Sequence, residues 1–273
     1  MNSAESMRVT LLGTGTSTGI PVIGCGCRVC TSSDLRDRRT RCSCLVEHDG
    51  INIVIDTGPD FRAQALREGL RHVDAVLFTH HHFDHIVGLD DLRPFFFRNS
   101  RPIPCYARAN TAEVLRRMFR YIFQDGSYPG VPDLVLEVVE APFRVPSRID
   151  PEQSVEIVPV DVHHGDLPLF GYRVGNFAYL TDTNFIPKES FDLLRGLDVL
   201  VLDALRDDYH PTHFTIDDAV EVAGRIGARQ TYFIHMTHSV LHAETDARLP
   251  DGMNLAHDGL SFTIRLDGES RLC

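Results

Sequence analysis

The chain contains no tryptophan, no long apolar run, no internal repeat and no surplus of basic charge. Each absence excludes something. A helix that crosses a bilayer needs about 20 consecutive apolar residues, and stretches such as Val199–Leu202 are strand-sized. The 27 basic residues are outnumbered by 38 acidic ones, a net charge of −11 with histidine neutral. General nucleic-acid binding wants a basic face against the phosphate backbone, so that class is disfavoured. Met1–Thr10 lacks the basic start and apolar stretch of a secretory leader, and we expect a cytoplasmic protein with no membrane attachment. With 43% hydrophobic and 24% charged residues, a disordered tail, a collagen-like fibre and a coiled coil are excluded as well.

What is present is a globular chain rich in histidine. Its 273 residues, with 16 Phe and 7 Tyr for aromatic volume, can bury a sizeable core. Val/Ile/Phe-rich runs bounded by Gly, Pro, Asn or Asp predict strands at Met7–Leu12, Ile51–Ile55, Ala75–Thr79, Pro102–Tyr106, Leu134–Val139, Val155–Val160, Phe170–Val174, Phe177–Thr181, Val199–Asp203, Gln230–His235 and Leu260–Leu266. Helical patterns fall at Asp60–Gly69, Ile86–Phe95, Thr111–Phe123, Pro187–Gly196, Ile216–Ile226 and Ser239–Arg248. Some strands form adjacent hairpins and others alternate with helices. This predicts an α+β fold, an αββα sandwich of two mixed sheets face to face with helices outside. The expected organisation is one domain over residues 1–273, with a Pro- and Arg-rich insertion or lid near 96–150. Between Arg93 and Arg120 there are seven arginines and one acid, Glu113. That is either a solvated helix face or a phosphate-facing surface, since the guanidinium fork matches phosphate oxygens. Arg93 is the candidate substrate contact.

The 14 histidines are clustered. Thr79-His80-His81-His82-Phe83-Asp84-His85 follows a predicted strand and leads into a helix. A strand end followed by a tight turn points alternate side chains to one side. His80 and His82 can then reach one cation while Asp84 and His85 turn to a second. Imidazole and carboxylate suit Zn or Mn. Further ligands stand at other strand ends: His163-His164-Gly165, Asp182 and His235. A shared carboxylate such as Asp182 would hold two ions about 3.5–4 Å apart. Separately, Cys25, Cys27 and Cys30 form Cys-x-Cys-x-x-Cys, and three close thiolates fit a tetrahedral zinc with one ligand missing. Cys42, Cys44, Cys105 and Cys273 read as ordinary thiols.

The His-x-His-x-Asp-His run resembles the metallo-β-lactamase-fold hydrolase superfamily, over nearly the whole chain from Leu11 to Ile264. The resemblance implies an αββα sandwich with a dinuclear site at one edge. It implies His80, His82 and His164 on one metal, Asp84, His85 and His235 on the other, and Asp182 bridging. It selects His164 over His163 because the family pattern is His followed by Gly. Several segments together narrow it: Leu12-Gly13-Thr14-Gly15, the Cys cluster, Asp56-x-Gly58, Gly88-Leu89-Asp90-Asp91-Leu92-Arg93-Pro94 and Phe170-Gly171-Tyr172. They resemble the phosphoribosyl 1,2-cyclic phosphate phosphodiesterase subgroup, which implies a structural zinc completed by His238. It also implies a homodimer and a small, cyclic phosphodiester substrate such as a ribosyl 1,2-cyclic phosphate. The expected chemistry is attack by a metal-bridging hydroxide on phosphorus. The catalytic candidates are Asp84 and, as the acid that protonates the leaving alkoxide, His213. Asp56 is expected to accept the outer ring proton of a ligand histidine.

Three rivals follow from the same residues. A tRNA 3′-processing endonuclease would show a steep salt dependence of tRNA binding. A carboxylic ester, thioester or lactam hydrolase would show in a substrate panel. A non-catalytic metal-binding protein would be metal-replete and inert.

Overall fold

The computed structural model describes residues 6–99, 101–124, 130–148, 150 and 152–265. Among them, fourteen strands form two seven-stranded sheets. The first sheet takes β1 (Ser6–Gly13), β2 (Ser43–His48), β3 (Ile51–Ile55), β4 (Ala75–Leu77), β5 (Ile103–Ala107), β6 (Leu134–Val138) and β14 (Ser261–Arg265), in the order β14-β1-β2-β3-β4-β5-β6. The second takes β7 (Phe143–Pro146), β8 (Ser154–His164), β9 (Leu167–Val174), β10 (Phe177–Leu180), β11 (Val199–Asp203), β12 (Gln230–Ile234) and β13 (Met253–Leu255), in the order β13-β12-β11-β10-β9-β8-β7. Each sheet is antiparallel on one side. Each then becomes parallel, from β3 to β6 and from β10 to β13.

Side-chain alternation explains the layers. Along β11, Val199 and Val201 point into the core between the sheets, while Leu200 and Leu202 point outward beneath helices. A strand covered on both faces reads as a continuous apolar run, as Val199–Leu202 does. The inter-sheet core holds Val9, Ile53 and Ile55 from one sheet and Tyr172, Tyr179 and Ile234 from the other. The helices are α1 (Phe61–Arg67), α2 (Phe83–Ile86), α3 (Arg93–Asn99), α4 (Ala109–Met118), α5 (Arg120–Phe123), α6 (Lys188–Asp192), α7 (Ile216–Ile226) and α8 (His242–Asp246). Phe61 of α1 and Leu115 of α4 cover the outer face of the first sheet, and Ala219 and Ala223 of α7 that of the second. α7 begins at the Thr215–Asp218 capping box and stops at Gly227, whose φ of 73° is the left-handed conformation a helix end favours. The layers are helix, sheet, sheet, helix, as the sequence pattern predicts.

The segment 96–150 is the one expected as an insertion or lid. Its described part supplies β5 and β6 to one edge of the first sheet and β7 to one edge of the second. β5 and β6 answer to the strands expected at Pro102–Tyr106 and Leu134–Val139, whereas the edge strand β7 carries the charge and proline that discourage further pairing and so reads as loop in the sequence. The helix expected over Thr111–Phe123 breaks at Phe119 (φ −105°, ψ 39°) into α4 and α5. The one expected over Ile86–Phe95 is a short α2, a 3₁₀ turn over Val87–Leu92 and then α3. Strands β2, β7 and β13 carry no strong periodic signal. The expected end of the last strand at Leu266, and Cys273, lie outside the described residues.

Candidate metal centre and active site

The parallel halves of both sheets deliver their C-terminal ends to one edge. Asp56 follows β3, His80 follows β4, Asp182 follows β10, Asp203 ends β11 and His235 follows β12. Three of these, Asp56, Asp182 and His235, have φ values of 62°, 50° and 66°. Left-handed backbone is uncommon for residues other than glycine and concentrates at functional sites. Glycine permits the neighbouring loops to touch. A Cβ on Gly58 would lie 2.0 Å from the Asp84 carbonyl oxygen, and one on Gly88 would lie 2.2 Å from that of Gly58.

Asp182 is the hub. Its carboxylate lies 3.7 Å from His80 Nε2, 3.2 Å from His85 Nε2 and 3.2 Å from His235 Nε2. The possible ligand atoms of Asp84, His85, Asp182 and His235 all lie within 4.8 Å of one another, as do those of His80, His82 and Asp182. His164 joins Asp182 and His213 in a third such group, its ring 5.1 Å from that of His82. The structure therefore brings all seven sequence-predicted ligands together. His163 is directed elsewhere, packing on Phe185.

The chemistry of this set fits cations. The Nε2 atoms of His80, His85 and His235 are buried and make no hydrogen bond among the described residues. Buried polar atoms without partners are rare. Three that converge on one carboxylate leave a place for a Lewis acid. Burial holds the His80, His164 and His235 imidazoles below their usual pKa, that of His164 at about 4, so they stand neutral and able to ligate.

Outer contacts fix the rings. His85 Nδ1 meets Asp56 Oδ2 at 2.7 Å, and Asp56 also receives the Thr79 N–H at 2.8 Å and its hydroxyl at 2.7 Å. His164 Nδ1 donates to the Thr212 carbonyl at 2.8 Å. His213, only 8% exposed, places Nδ1 3.0 Å from Asp203 Oδ2. The other oxygen of Asp203 lies 3.4 Å from His235 Nδ1. Arg93, expected at the substrate, is not among the groups gathered on Asp182; its Nη2 donates to both oxygens of Asp90 at 2.7 and 2.9 Å. Arg108 is likewise engaged, by Asp161, with its guanidinium over the Phe170 ring.

The second predicted cluster also assembles. Sγ of Cys25, Cys27 and Cys30 lie 3.3, 3.5 and 3.7 Å from His238 Nδ1. The Cys30 N–H donates to Cys27 Sγ and the Val22 N–H to Cys30 Sγ. The first of these bonds leads the effects that lower the Cys27 thiol to about 6.

A family model described as Beta-lactamase superfamily domain matches residues 51–236. The chain belongs to that superfamily. Asp182 and the six other predicted ligands fall inside the matched span. A solved structure of a new diphosphatase from the PhnP family is 45% identical, covers 95% of this chain and 97% of its own, and has a TM-score of 0.87. At that identity, this metallo-β-lactamase-fold chain also falls in the PhnP family. An octanoyltransferase of Porphyromonas gingivalis is 42% identical over 263 residues. The match takes 94% of this chain but 52% of that protein, so the chain spans about half the length of this relative. Zn(2+)-bound PqqB from Methylobacterium extorquens shares the fold, with a TM-score of 0.70 at 21% identity over 93% of this chain and 99% of its own. The chain is thus a metal-dependent hydrolase, and divalent metal ions belong to its fold.

Sequence reading missed Asp203, the carboxylate that serves two histidines of this metallo-β-lactamase site. A signal existed: Asp203 closes a buried parallel strand, and ligands in open α/β sheets gather at such ends. No helix among the described residues is long and apolar enough to cross a membrane.

Proposed function

We propose that the chain hydrolyses a small phosphodiester, such as a ribosyl 1,2-cyclic phosphate, at two divalent ions, zinc or manganese. His80, His82, His164 and Asp182 would hold one ion. Asp84, His85, His235 and Asp182 would hold the other. Bound there, the pair supplies a water that is nucleophilic near neutral pH and positive charge opposite the phosphoryl oxygens. The single observation that carries the reading is the convergence of three unpartnered ring nitrogens on Asp182, with His213 on its own carboxylate beside them.

The remaining steps belong to the chain. Asp84 sits in the first turn of α2, buried, with Oδ2 3.3 Å from His85 Nε2; its carboxylate accepts the proton side of the attacking water and fixes its direction. Asp203 holds the Nδ1 edge of His213, so the opposite edge faces Asp182 and gives a proton to the leaving oxygen. General acid catalysis of this kind contributes about 10²–10⁴-fold. Asp56 and the Thr212 carbonyl keep His85 and His164 from rotating, which keeps their Nε2 atoms on target. Cys25, Cys27, Cys30 and His238 would hold a structural zinc that pins the loop after His235.

The test is a turnover panel on metal-loaded protein, with a ribosyl 1,2-cyclic phosphate, bis(p-nitrophenyl) phosphate, a thioester and a β-lactam. The expected result is hydrolysis of the two diesters. Turnover of the thioester or lactam with both diesters inert would overturn the assignment.

A further inference from the structure

The segment His235-Met236-Thr237-His238 runs from one cluster to the other. It starts in left-handed backbone, with a φ of 66° at His235. A residue other than glycine keeps that conformation only where its surroundings fix it from several sides. Three backbone bonds follow it closely. The Met236 N–H donates to the Thr14 carbonyl at 3.2 Å, the Met236 carbonyl accepts the Thr16 N–H at 3.2 Å, and the Thr237 N–H donates to the Leu205 carbonyl at 3.0 Å. The next group along, the Thr237 carbonyl, is held by a side chain: Nη1 of Arg39 donates to it at 3.4 Å.

Arg39 belongs structurally to the cysteine loop. Its backbone exchanges two hydrogen bonds with Ile20, at 2.9 and 2.8 Å. Ile20 packs in a small apolar cluster with Val29 and Cys30, against Cys25 and Cys27. The Arg39 side chain is fully buried, and its Nη2 donates to Asp37 Oδ1 at 3.2 Å. The same oxygen accepts the His242 N–H at 2.8 Å. A Cβ on Gly15 would lie 2.8 Å from Arg39 Cβ, so the side chain has no room to slide. One planar fork thus reaches a carboxylate and a carbonyl together, which the point charge of a lysine does not reproduce. The cysteine loop carries the clamp, and the clamp grips the chain two residues beyond His235.

We infer that Arg39 is a positioning residue that links the two clusters. With an ion held by Cys25, Cys27, Cys30 and His238, the loop that carries Arg39 is fixed, the Thr237 carbonyl is fixed through it, and His235 stays where it can ligate. Emptying the cysteine cluster weakens the grip of Asp84, His85, Asp182 and His235 on their ion. By linkage, an ion at the active site strengthens the cysteine cluster by the same factor. The inference rests on the proposed ligation at both clusters and not on the substrate.

The experiment titrates the full chain with Co2+ and reads two signals. Thiolate-to-cobalt charge transfer reports the cysteine cluster, and the visible bands of imidazole- and carboxylate-bound cobalt report the active site. Four proteins form a cycle: wild type, Cys27→Ser, the pair Asp37→Asn/Arg39→Met, and all three changes together. The pair removes both buried charges at once, and asparagine keeps an acceptor for the His242 N–H. Cys27→Ser should raise the active-site Kd about tenfold in the wild type, within the range of ordinary coupling between sites. The pair should raise it about as much with the charge-transfer signal intact, and Cys27→Ser should then add less than about twofold. Arg39→Lys, which keeps the buried charge and loses the fork, should lose the coupling as well.

Additive effects of Cys27→Ser and the pair, no effect of Cys27→Ser on the active-site Kd, or full coupling in Arg39→Lys would overturn the inference and leave the metal ligation standing. Absence of the charge-transfer signal from the wild type would overturn the proposed cysteine site and the inference with it. Coupling as expected, in a metal-saturated chain inert toward bis(p-nitrophenyl) phosphate and a ribosyl 1,2-cyclic phosphate, would overturn the phosphodiester reading alone.

Discussion

His235 and His238 are three residues apart and serve two opposite kinds of cluster. His235 is 1% exposed, held in left-handed backbone between Asp182 and Asp203. His238 is exposed and faces three thiols. The first cluster is assembled from strand ends of both sheets, and the Nε2 atoms of His80, His85 and His235 make no hydrogen bond among the described residues. The second is assembled from one local loop plus His238, and backbone N–H groups already satisfy two of its sulfurs. Under the proposed assignment, the difference separates reactivity from fastening. A centre that does chemistry keeps unsatisfied valence in a dry place; a staple closes its own hydrogen bonds and sits near the surface. Between them, the carbonyl of Thr237 is held by the fully buried Arg39, itself paired with Asp37.

Substitutions can break or sharpen this contrast. The largest effect belongs to Asp182→Ala, which removes the carboxylate common to both halves of the first cluster. Turnover of bis(p-nitrophenyl) phosphate should fall to background, and metal analysis should show less than full occupancy at the active site while the cysteine cluster keeps its zinc. Unchanged turnover would remove the dinuclear mechanism.

His213→Gln should be next. For a diester with an alkoxide leaving group, kcat should fall about 10²–10⁴-fold. For a p-nitrophenolate leaving group, which departs without a proton, the loss should be far smaller. An equal loss on both substrates would assign His213 to metal or substrate binding instead of proton transfer.

Cys27→Ser should do least to chemistry. It should release the zinc proposed for the second cluster, detectable with a chromogenic chelator, and lower the thermal midpoint, with turnover of remaining folded protein within a few-fold of wild type. Full zinc content in that variant would sink the staple. A collapse of turnover matching that of Asp182→Ala would erase the contrast between the clusters.

The sequence shows these two regions unequally. His80, His82, Asp84 and His85 are legible because four ligands fall within six residues after an apolar strand, and the cysteines because three fall within six. His164, Asp182 and His235 are single residues at strand ends, weak signals one by one that the sequence links only through that shared position and the fold resemblance. Asp203 was hidden for a plain reason: its partners, His213 and His235, lie ten and thirty-two residues away, joined to it only by pairing of the parallel strands. The two-sheet sandwich was legible in the hairpins and apolar runs. The edge strand β7 was not, because the features that protect an edge also imitate a loop. Arg93 and Arg108 looked like phosphate ligands by composition; of the carboxylates that engage them, Asp90 stands three residues before Arg93 in the chain, whereas Asp161 was invisible without the fold.

The backbone at Asp56, Asp182 and His235 sets this architecture against its own thermal resilience. Each such non-glycine position stores on the order of 1–3 kcal/mol, and glycine or asparagine would relieve part of it. Selection for heat resistance alone would therefore drift toward those two amino acids at the very spots where the hydrolase is made. A laboratory lineage evolved for durability without an activity screen should shed its metal ligands first, and become a sturdier protein with nothing left to do.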